Sequence, residues 1–211
     1  MSETSAAVHE PWHDIARQRE GVSFGIWVFL ASEVLFFGGL FLTYFVYRIE
    51  YGEAFKIAAK ETDVFYGTLN TVILLTSSLT MATVGRAAEA GFRRMALGCL
   101  AATAALGSAF LVVKGFEYYD DISKGLLPGP GFPLQPAQTQ IFWTFYWVAT
   151  IIHAVHLTIG IGVVATAGTL LSRGRLSLQT AALEAIALYW HFVDIIWIIL
   201  LPMIYLIGRA S

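Results

Sequence analysis

Five long apolar stretches constrain the fold of this chain more than any other feature. They cover about residues 23–47, 65–85, 94–114, 141–171 and 180–208. An apolar helix of about 20 residues crosses a hydrocarbon core about 30 Å thick, so each stretch is long enough to span a membrane. Hydrophobic residues make up 57% of the chain and charged residues 13%, which leaves no room for a large soluble domain. The sequence predicts an all-α integral membrane bundle of five transmembrane helices over residues 23–208.

The remaining segments narrow the choice of function. Residues 1–22 are polar and lack the apolar core of a secretory signal, so we expect a polar tail rather than a cleaved peptide. The net charge of −2 and the lack of a basic run argue against a nucleic-acid partner. A single cysteine, Cys99, excludes an intrachain disulfide and a CxxC metal or redox site.

Arginines in the short loops predict the orientation. The loops at about 86–94 and 172–179 hold Arg86, Arg93, Arg94, Arg173 and Arg175, and positive residues in short loops favour the cytoplasmic side. We expect a multi-pass protein of the bacterial inner (cytoplasmic) membrane, with a cytoplasmic N-terminus and a periplasmic or extracellular C-terminus.

Arg93, Arg94, Arg173 and Arg175 are also candidate ligands of lipid head-group phosphates, since guanidinium groups make bidentate contacts with phosphate. Simple anchoring by positive charge is the alternative.

Three ionisable residues lie inside the last apolar stretch. Glu184, His191 and Asp194 follow one another at spacings of seven and three residues, which places them on one face of a helix. A charge at the centre of a helix in lipid costs about 2.5–3.5 kcal/mol on insertion scales. We therefore expect this face to point towards protein rather than lipid.

Glu33 lies near the middle of the first apolar stretch. A carboxyl group in such surroundings is expected to be neutral or hydrogen-bonded. Two interpretations stay open at this point: a carboxyl that handles protons or couples subunits, and a neutral side chain that holds helices together. A small transporter that uses Glu33 as its proton carrier is a further alternative.

His153 and His156 lie three residues apart in the fourth stretch, on one helical face. The number of histidines argues against a membrane dihaem cytochrome, which needs two helices that each carry well-separated histidines. A mononuclear zinc, iron or copper site is chemically possible and would make the chain a membrane enzyme; its ligands would be His153, His156, His191 and Asp194. The simpler expectation is that the histidines hydrogen-bond to carboxylates on neighbouring helices.

Polar residues also mark the second stretch and the region after the third. Hydroxyl groups at 71, 76–78, 80 and 83 permit close helix packing, and they predict an interior helix. Glu117, Asp120 and Asp121 alternate with tyrosines, and we expect an interfacial cluster whose acids reach water. The connection at about 115–140 is rich in proline and glycine, and it predicts either an extracytoplasmic contact surface or a solvated connector.

Five segments occur in the order and spacing of a known family. They are 30–37 (LASEVLFF), 69–71 (LNT), 117–119 (EYY), 153–156 (HAVH) and 189–197 (YWHFVDIIW). This ordered set resembles the signature of subunit III of haem-copper oxidases, and the resemblance extends over about residues 23–208. The chain is similar to the short, five-helix form, which lacks the first two helices of the seven-helix mitochondrial type.

The resemblance implies a specific role. Subunit III holds no haem and no copper, which lie in partner subunits; it packs against subunit I, in a complex that also contains subunit II. It binds structural phospholipid between its helices and supports proton uptake and sustained turnover. Glu33 corresponds to the buried carboxyl that dicyclohexylcarbodiimide modifies in this family. No catalytic or metal-binding residue is then expected, and an interhelical polar network would comprise Glu117, His153, His156, Glu184, His191 and Asp194.

The resemblance also implies an arrangement and leaves a second partner open. We expect two helix groups, spans one and two against spans three to five, with a lipid-filled groove between them. The ending 197–205 (WIILLPMIY) is similar to subunits that accompany nitric oxide reductases. An accessory subunit of a nitric oxide reductase is therefore an alternative.

Overall fold

The computed structural model describes residues 15–176 and 181–206, and the regular structure in that part of the chain is helical throughout. The helices are α1 (Ile15–Glu50), α2 (Gly52–Lys60), α3 (Val64–Glu89), α4 (Arg93–Ser123), α5 (Thr139–Ser172) and α6 (Ala181–Leu201), followed by a π-helical turn (Pro202–Leu206). Five of these described helices, all except α2, are long and apolar enough to cross a membrane. The predicted all-α class and the five transmembrane helices are confirmed.

Two helices, α1 and α4, extend beyond the predicted spans into polar segments. α1 includes residues 15–22, which the sequence assigned to the polar tail, and α4 continues to Ser123 rather than ending near 114. The connection before α5 is therefore confined to residues 124–138. We call the end of the bundle beside this connection the connector end, and the end that carries Arg93 and Arg173 the arginine end. The predictions for residues 1–14, 177–180 and 207–211 lie outside the described residues.

α3 and α4 form the most extensive helix contact, through seams with a seven-residue repeat. The buried residues of α4 follow one another at spacings of four and three: Ala96, Leu100, Thr103, Gly107, Phe110, Lys114, Glu117 and Asp121. Such spacing keeps one side of a helix against its neighbour over many turns. Because the last three members of the seam are ionisable, the same repeat carries Lys114, Glu117 and Asp121 into the protein interior.

α6 lies at the centre of the bundle and packs against α1, α3 and α5. In the 18-residue apolar segment of α6, 50% of the residues are buried, whereas in the corresponding segment of α3 the share is 28%. α6 is thus more buried than α3, which the sequence predicts to be an interior helix; α3 buries one face, at Gly67, Asn70, Leu74, Ser77, Met81 and Val84. Thr71, Thr76 and Thr83 each donate to a carbonyl oxygen one turn back in α3. These three hydroxyls donate within their own helix. Other contacts join α3 to its neighbours: Thr71 also accepts from Trp197 of α6, and Ser77, Ser78 and Thr80 contact side chains of α6 or α4.

The predicted division into spans one and two against spans three to five is also wrong. α3 packs mainly against α4 and α6, whereas α1 packs mainly against α6, with smaller contacts to α2 and α5. α1 buries a narrow stripe at Leu30, Phe37 and Tyr44 and exposes large apolar side chains elsewhere. Both lipid and protein neighbours accept apolar side chains, so the composition of α1 did not show which helix it faces.

Trp190 of α6 fills a gap that two glycines create. A Cβ atom at Gly107 of α4 would lie 2.8 Å from Trp190 Cη2, and one at Gly160 of α5 would lie 3.3 Å from the same indole ring. The indole Nε1 donates to Ser77 Oγ of α3 at 3.1 Å. One buried side chain thus contacts three helices, because small residues let the ring approach their backbones.

α2 and the π-helical turn close the connector end. α2 packs against α5 and buries Ala54, Phe55, Ala58 and Ala59. On its exposed side Lys56 donates to Glu53 at 2.9 Å, and this hydrogen bond lowers the pKa of the carboxyl. Pro202, which has no N–H, begins the π-helical turn. The turn places the ring of Tyr205 over Gly67, where a Cβ atom would lie 3.0 Å from the ring.

Candidate functional site

A carboxyl–imidazole contact joins α1 to α5 in the apolar middle of the bundle. Glu33 Oε2 lies 3.0 Å from His156 Nε2, and both side chains are mostly buried. His156 Nδ1 lies 2.8 Å from the carbonyl oxygen of Ile152. A carbonyl can only accept, so Nδ1 carries a hydrogen. Glu33 Oε2 and His156 Nε2 therefore share one proton, either as a neutral acid and imidazole or as a carboxylate and imidazolium.

Aromatic side chains of α1 and α6 surround this pair. Phe37 presents its ring to His156 with 5.3 Å between the ring centroids. The Tyr189 hydroxyl donates to the carbonyl oxygen of His156 at 2.9 Å. The site is thus built at the junction of α1, α5 and α6, and it is the predicted type of contact between a histidine and a carboxylate of a neighbouring helix.

His153 has different surroundings from His156. Its ring lies between Phe110 of α4 and Trp197 of α6, with centroid distances of 5.5 and 5.2 Å. Neither ring nitrogen has a hydrogen-bond partner within residues 15–176 and 181–206. The two histidines therefore do not act as one pair, although the sequence places them three residues apart.

Side chains of the 189–197 segment also join α6 to α3. His191 Nδ1 lies 2.7 Å from Ser78 Oγ, and Trp197 Nε1 donates to Thr71 Oγ1 at 3.1 Å. Asp194 is buried, and neither carboxyl oxygen is hydrogen-bonded within the described part of the chain; its polar neighbour Ser78 contacts His191. His191 and Asp194 therefore face protein as predicted, but the prediction is wrong for Glu184, which is exposed. His191 and Asp194 belong to a different helix contact from that of Glu33.

Glu184 lies apart from the other residues of the predicted network. It occupies the first turn of α6 at the arginine end and is exposed. With Glu20 and Ser23 it lines a surface pocket of about 290 Å³ between α1 and α6. Within the described residues the structure does not bring it into contact with the buried histidines or with Asp194.

A buried ionic cluster occupies the connector end. It comprises Lys114, Glu117 and Asp121 of α4, Tyr146 of α5 and Tyr205 of the π-helical turn, and each residue is at most 4% exposed. Lys114 Nζ lies 3.1 Å from Glu117 Oε1, and the Tyr205 hydroxyl donates to the same oxygen at 2.6 Å. Tyr146 Oη lies 2.6 Å from Asp121 Oδ2 and 3.0 Å from Glu117 Oε1.

The cluster corrects one prediction and adds residues that the sequence analysis missed. We expected Glu117 and Asp121 to reach water, and that is wrong, because both lie on the seam that faces α3 and α5. Lys114, Tyr146 and Tyr205 were not selected as site residues. The signal that could have found Lys114 is its place in the seven-residue repeat, three residues before Glu117 and seven before Asp121.

The structure does not gather the four candidate ligands of a mononuclear metal site. Across the residues that it describes, no three His, Cys, Asp or Glu side chains are close enough together to hold a metal ion. His156 bonds to Glu33, His191 bonds to Ser78, and His153 lies among aromatic rings.

The candidate head-group arginines lie at the arginine end, where one of them caps a helix. Arg93 Nη2 donates to the carbonyl oxygens of Leu171 and Ser172 at 2.5 and 3.0 Å, at the C-terminal end of α5. Arg94, Arg173 and Arg175 are exposed at the same end. An apolar groove of about 310 Å³ between α4 and α5 ends beside Ser172.

Comparisons with known proteins identify the family. The family described as Cytochrome c oxidase subunit III matches residues 4–209. The chain is 34% identical over 187 residues to the Cytochrome c oxidase subunit 3 of Thermostichus vulcanus; the alignment covers 88% of this chain and 87% of that protein. It is 26% identical over 212 residues to the Cytochrome bo(3) ubiquinol oxidase subunit 3 of Pseudomonas aeruginosa; the alignment covers 96% of this chain and 94% of that protein. It is 30% identical over 200 residues to the Heme-copper oxidase subunit I+III of Aeropyrum pernix, with 90% of this chain and 23% of that protein covered. The chain belongs to the cytochrome c oxidase subunit III family, as its five ordered segments predicted.

Proposed function

We propose that this chain is the non-catalytic accessory subunit III of a haem-copper terminal oxidase. In this role it packs against subunit I, holds phospholipid, and supports proton uptake and stability during electron transfer to oxygen. The family match over residues 4–209 carries the proposal. The haem and copper are assigned to the partner subunits.

Subunit I is the proposed main partner, with subunit II in the same complex. The relative from Aeropyrum pernix is named as subunits I and III together, which favours direct contact between the corresponding chains here. The exposed apolar side chains of α1 offer a large surface for such a partner or for lipid: they include Phe24, Trp27, Leu35, Leu42 and Ile49.

Isolation of the native complex tests the proposed role. Native membranes are solubilised in mild detergent, this chain is captured, and the haem spectrum and the bound subunits are recorded. Haem a or o with a copper-binding large subunit supports the oxidase role. Haem b with non-haem iron would assign the chain to a nitric oxide reductase, and capture without any haem protein would favour a transporter.

Phospholipid is proposed to bind in the apolar groove between α4 and α5. The groove is lined by Leu97, Leu100, Val164 and Gly168, which suit an acyl chain. Exposed guanidinium groups at the arginine end, Arg94 and Arg173 among them, would then contact the phosphate. Native mass spectrometry of Arg173→Gln is expected to show less bound phospholipid than the wild-type chain, and unchanged lipid content would contradict the proposal.

Arg93 is expected to act mainly as a helix cap. Arg93→Gln removes the cation from the C-terminal end of α5 and is expected to lower the free energy of unfolding by about 1 kcal/mol. Arg94→Gln is the matched control, because this exposed neighbour makes no such contact with α5 in the described structure. Unfolding with SDS, followed by circular dichroism in lipid-free detergent, measures both variants. An equal effect of the two would contradict the capping role.

Glu33 is proposed to hold a proton with His156 and to couple the subunit to its complex. The Glu33→Gln variant is expected to assemble almost normally, since the amide can donate to His156 Nε2. Glu33→Ala leaves that nitrogen without a partner in apolar surroundings and is expected to cost about 1–3 kcal/mol. Yield of the assembled complex and SDS unfolding check these results, with Glu50→Gln at the exposed end of α1 as control. Loss of folding in Glu33→Gln would contradict the expectation.

The arginine end is proposed to face the cytoplasm of a bacterial cell. Five spans place the two termini on opposite sides, and the loops at the arginine end hold Arg86, Arg93, Arg94, Arg173 and Arg175. The connector end, with the buried ionic cluster, then faces the periplasm or cell exterior. Ser123→Cys and Ser172→Cys, each made in a Cys99→Ser background, are labelled from outside intact cells to test this orientation. Labelling of Ser172→Cys alone would reverse it.

A further inference from the structure

The buried ionic cluster has one more potential acid than its cation can balance. Lys114 can neutralise a single carboxylate, yet Glu117 and Asp121 both lie in the cluster. Lys124, near Asp121, is exposed to solvent on the connection that follows α4. An uncompensated charge at a buried position is costly, so the cluster favours one additional proton.

The hydrogen bonds assign the carboxylate to Glu117. Lys114 and Tyr205 both direct hydrogens to Glu117 Oε1, at 3.1 and 2.6 Å. The other N–H groups of Lys114 have acceptors in the tyrosine hydroxyls, at 2.8 Å for Tyr205 and 3.2 Å for Tyr146. An oxygen that accepts from an ammonium group and a hydroxyl is most stable when it is ionised.

The same hydrogen bonds place the extra proton on Asp121. Tyr146 has a single hydroxyl hydrogen but two carboxyl neighbours, Asp121 and Glu117. If Asp121 Oδ2 carries the proton and donates it to Tyr146 Oη, the Tyr146 hydrogen is free to bond with Glu117. Each hydrogen between these three groups then has an acceptor, and the cluster as a whole is neutral.

We propose that Asp121, Tyr146 and Glu117 form a storage site for one proton at the connector end of the bundle. The stored proton is held on Asp121 Oδ2 and bonds to Tyr146 Oη. On release the Asp121 O–H bond breaks, the proton passes to water, and the Tyr146 hydrogen turns from Glu117 Oε1 to the Asp121 carboxylate. Glu117 stays ionised beside Lys114 in both states. Asp121 lies in the last turn of α4 and is the most exposed of the three residues, at 4%, so exchange of the stored proton is expected to pass through Asp121.

The titratable neighbours of the cluster leave this arrangement intact. Asp120 accepts from Tyr66 of α3, and Tyr118 donates to Thr150 of α5. His153, deeper in the bundle, has no hydrogen bond to the cluster among the described residues. Asp120 therefore provides a matched control: an adjacent acid on the same helix that lies outside the cluster. The proposal does not depend on the oxidase role, because its test observes carboxyl groups of this chain.

Infrared spectroscopy tests the site directly. The full-length chain, with the subunits that remain bound in mild detergent, is compared with Asp121→Asn, Glu117→Gln and Asp120→Asn at neutral pH in H₂O and D₂O. Buried carboxyls outside the cluster, such as Glu33, contribute equally to all four spectra. We expect one further protonated-carboxyl C=O band, shifted in D₂O, that is lost in Asp121→Asn and kept in Asp120→Asn. A band that is lost only in Glu117→Gln would overturn the assignment to Asp121. A C=O region unchanged from wild type in all three variants would overturn the storage site.

A second variant keeps the proposal testable if Asp121→Asn does not fold. Tyr146→Phe removes the acceptor of the Asp121 proton and leaves the ring in place. The C=O band is then expected to move to higher frequency without loss of intensity, because the acid loses a hydrogen bond. An unchanged band position in Tyr146→Phe would show that Asp121 does not donate to Tyr146 and would overturn the proposal.

Discussion

Replacement of Lys114 by methionine is expected to destabilise the protein by about 3–5 kcal/mol, the usual cost of breaking a buried ion pair. The ammonium group lies 3.1 Å from Glu117 and is 1% exposed, so the variant leaves a buried carboxylate without its counter-ion. The double variant Lys114→Met/Glu117→Gln is expected to recover most of this loss, because it removes both charges. SDS unfolding followed by circular dichroism, together with the yield of folded protein, measures both effects.

Lys124→Met is the matched control for this prediction. Lys124 is exposed on the connection that follows α4, and a surface substitution of this kind is expected to change stability by at most about 0.5 kcal/mol. If Lys114→Met were as harmless as Lys124→Met, the ion pair would not stabilise the fold. Failure of the double variant to recover stability would show that Lys114 acts through its packing against Tyr146 and Trp197.

Trp190→Ala is expected to lower stability by a similar amount, about 3–5 kcal/mol, since it empties a site that three helices share. The indole is 1% exposed and packs on Gly107 and Gly160. The variant also leaves Ser77 without the indole N–H. Trp27→Ala, at a 60% exposed tryptophan of α1, is the control and is expected to have a much smaller effect.

A substitution at Gly107 tests the same contact from the opposite side. Gly107→Ala adds a Cβ atom 2.8 Å from the indole and is expected to cost about 1–3 kcal/mol through overpacking. In a Trp190→Ala background this cost is expected to vanish, because the added methyl group then enters empty space. SDS unfolding of the four proteins gives the coupling energy directly. Additive effects would contradict the close approach of the two residues.

The five transmembrane helices and the family could be predicted from the sequence because both depend on local features. A span needs about 20 apolar residues in a row, and that is a property of the segment alone. The 189–197 segment, with His191 and Asp194 among tryptophans, is likewise recognisable without its neighbours. The predictions that were wrong, the grouping of the helices and the exposure of Glu117 and Asp121 to water, both depend on which helices pack together.

The buried ionic cluster shows why the contacts between helices could not be predicted from the sequence. Tyr146 and Tyr205 are 59 residues apart in sequence, and only the meeting of α5 with the π-helical turn brings both to Glu117. Glu117 and Asp121 had been assigned to the aqueous interface because they follow an apolar stretch. Their burial was encoded in the seven-residue repeat of α4, which continues past the apolar stretch into charged residues.

The sequence by itself determined the membrane class, the number of spans, the family, and the presence of costly polar groups such as Glu33 within the spans. Only the tertiary structure decided the partners of these groups: His156 for Glu33, Ser78 for His191, and an exposed position for Glu184. The physical reason is that hydrophobicity selects between water and membrane but not between lipid and protein. In a bilayer both surroundings are apolar, so the contacts between helices depend on shape and hydrogen bonding.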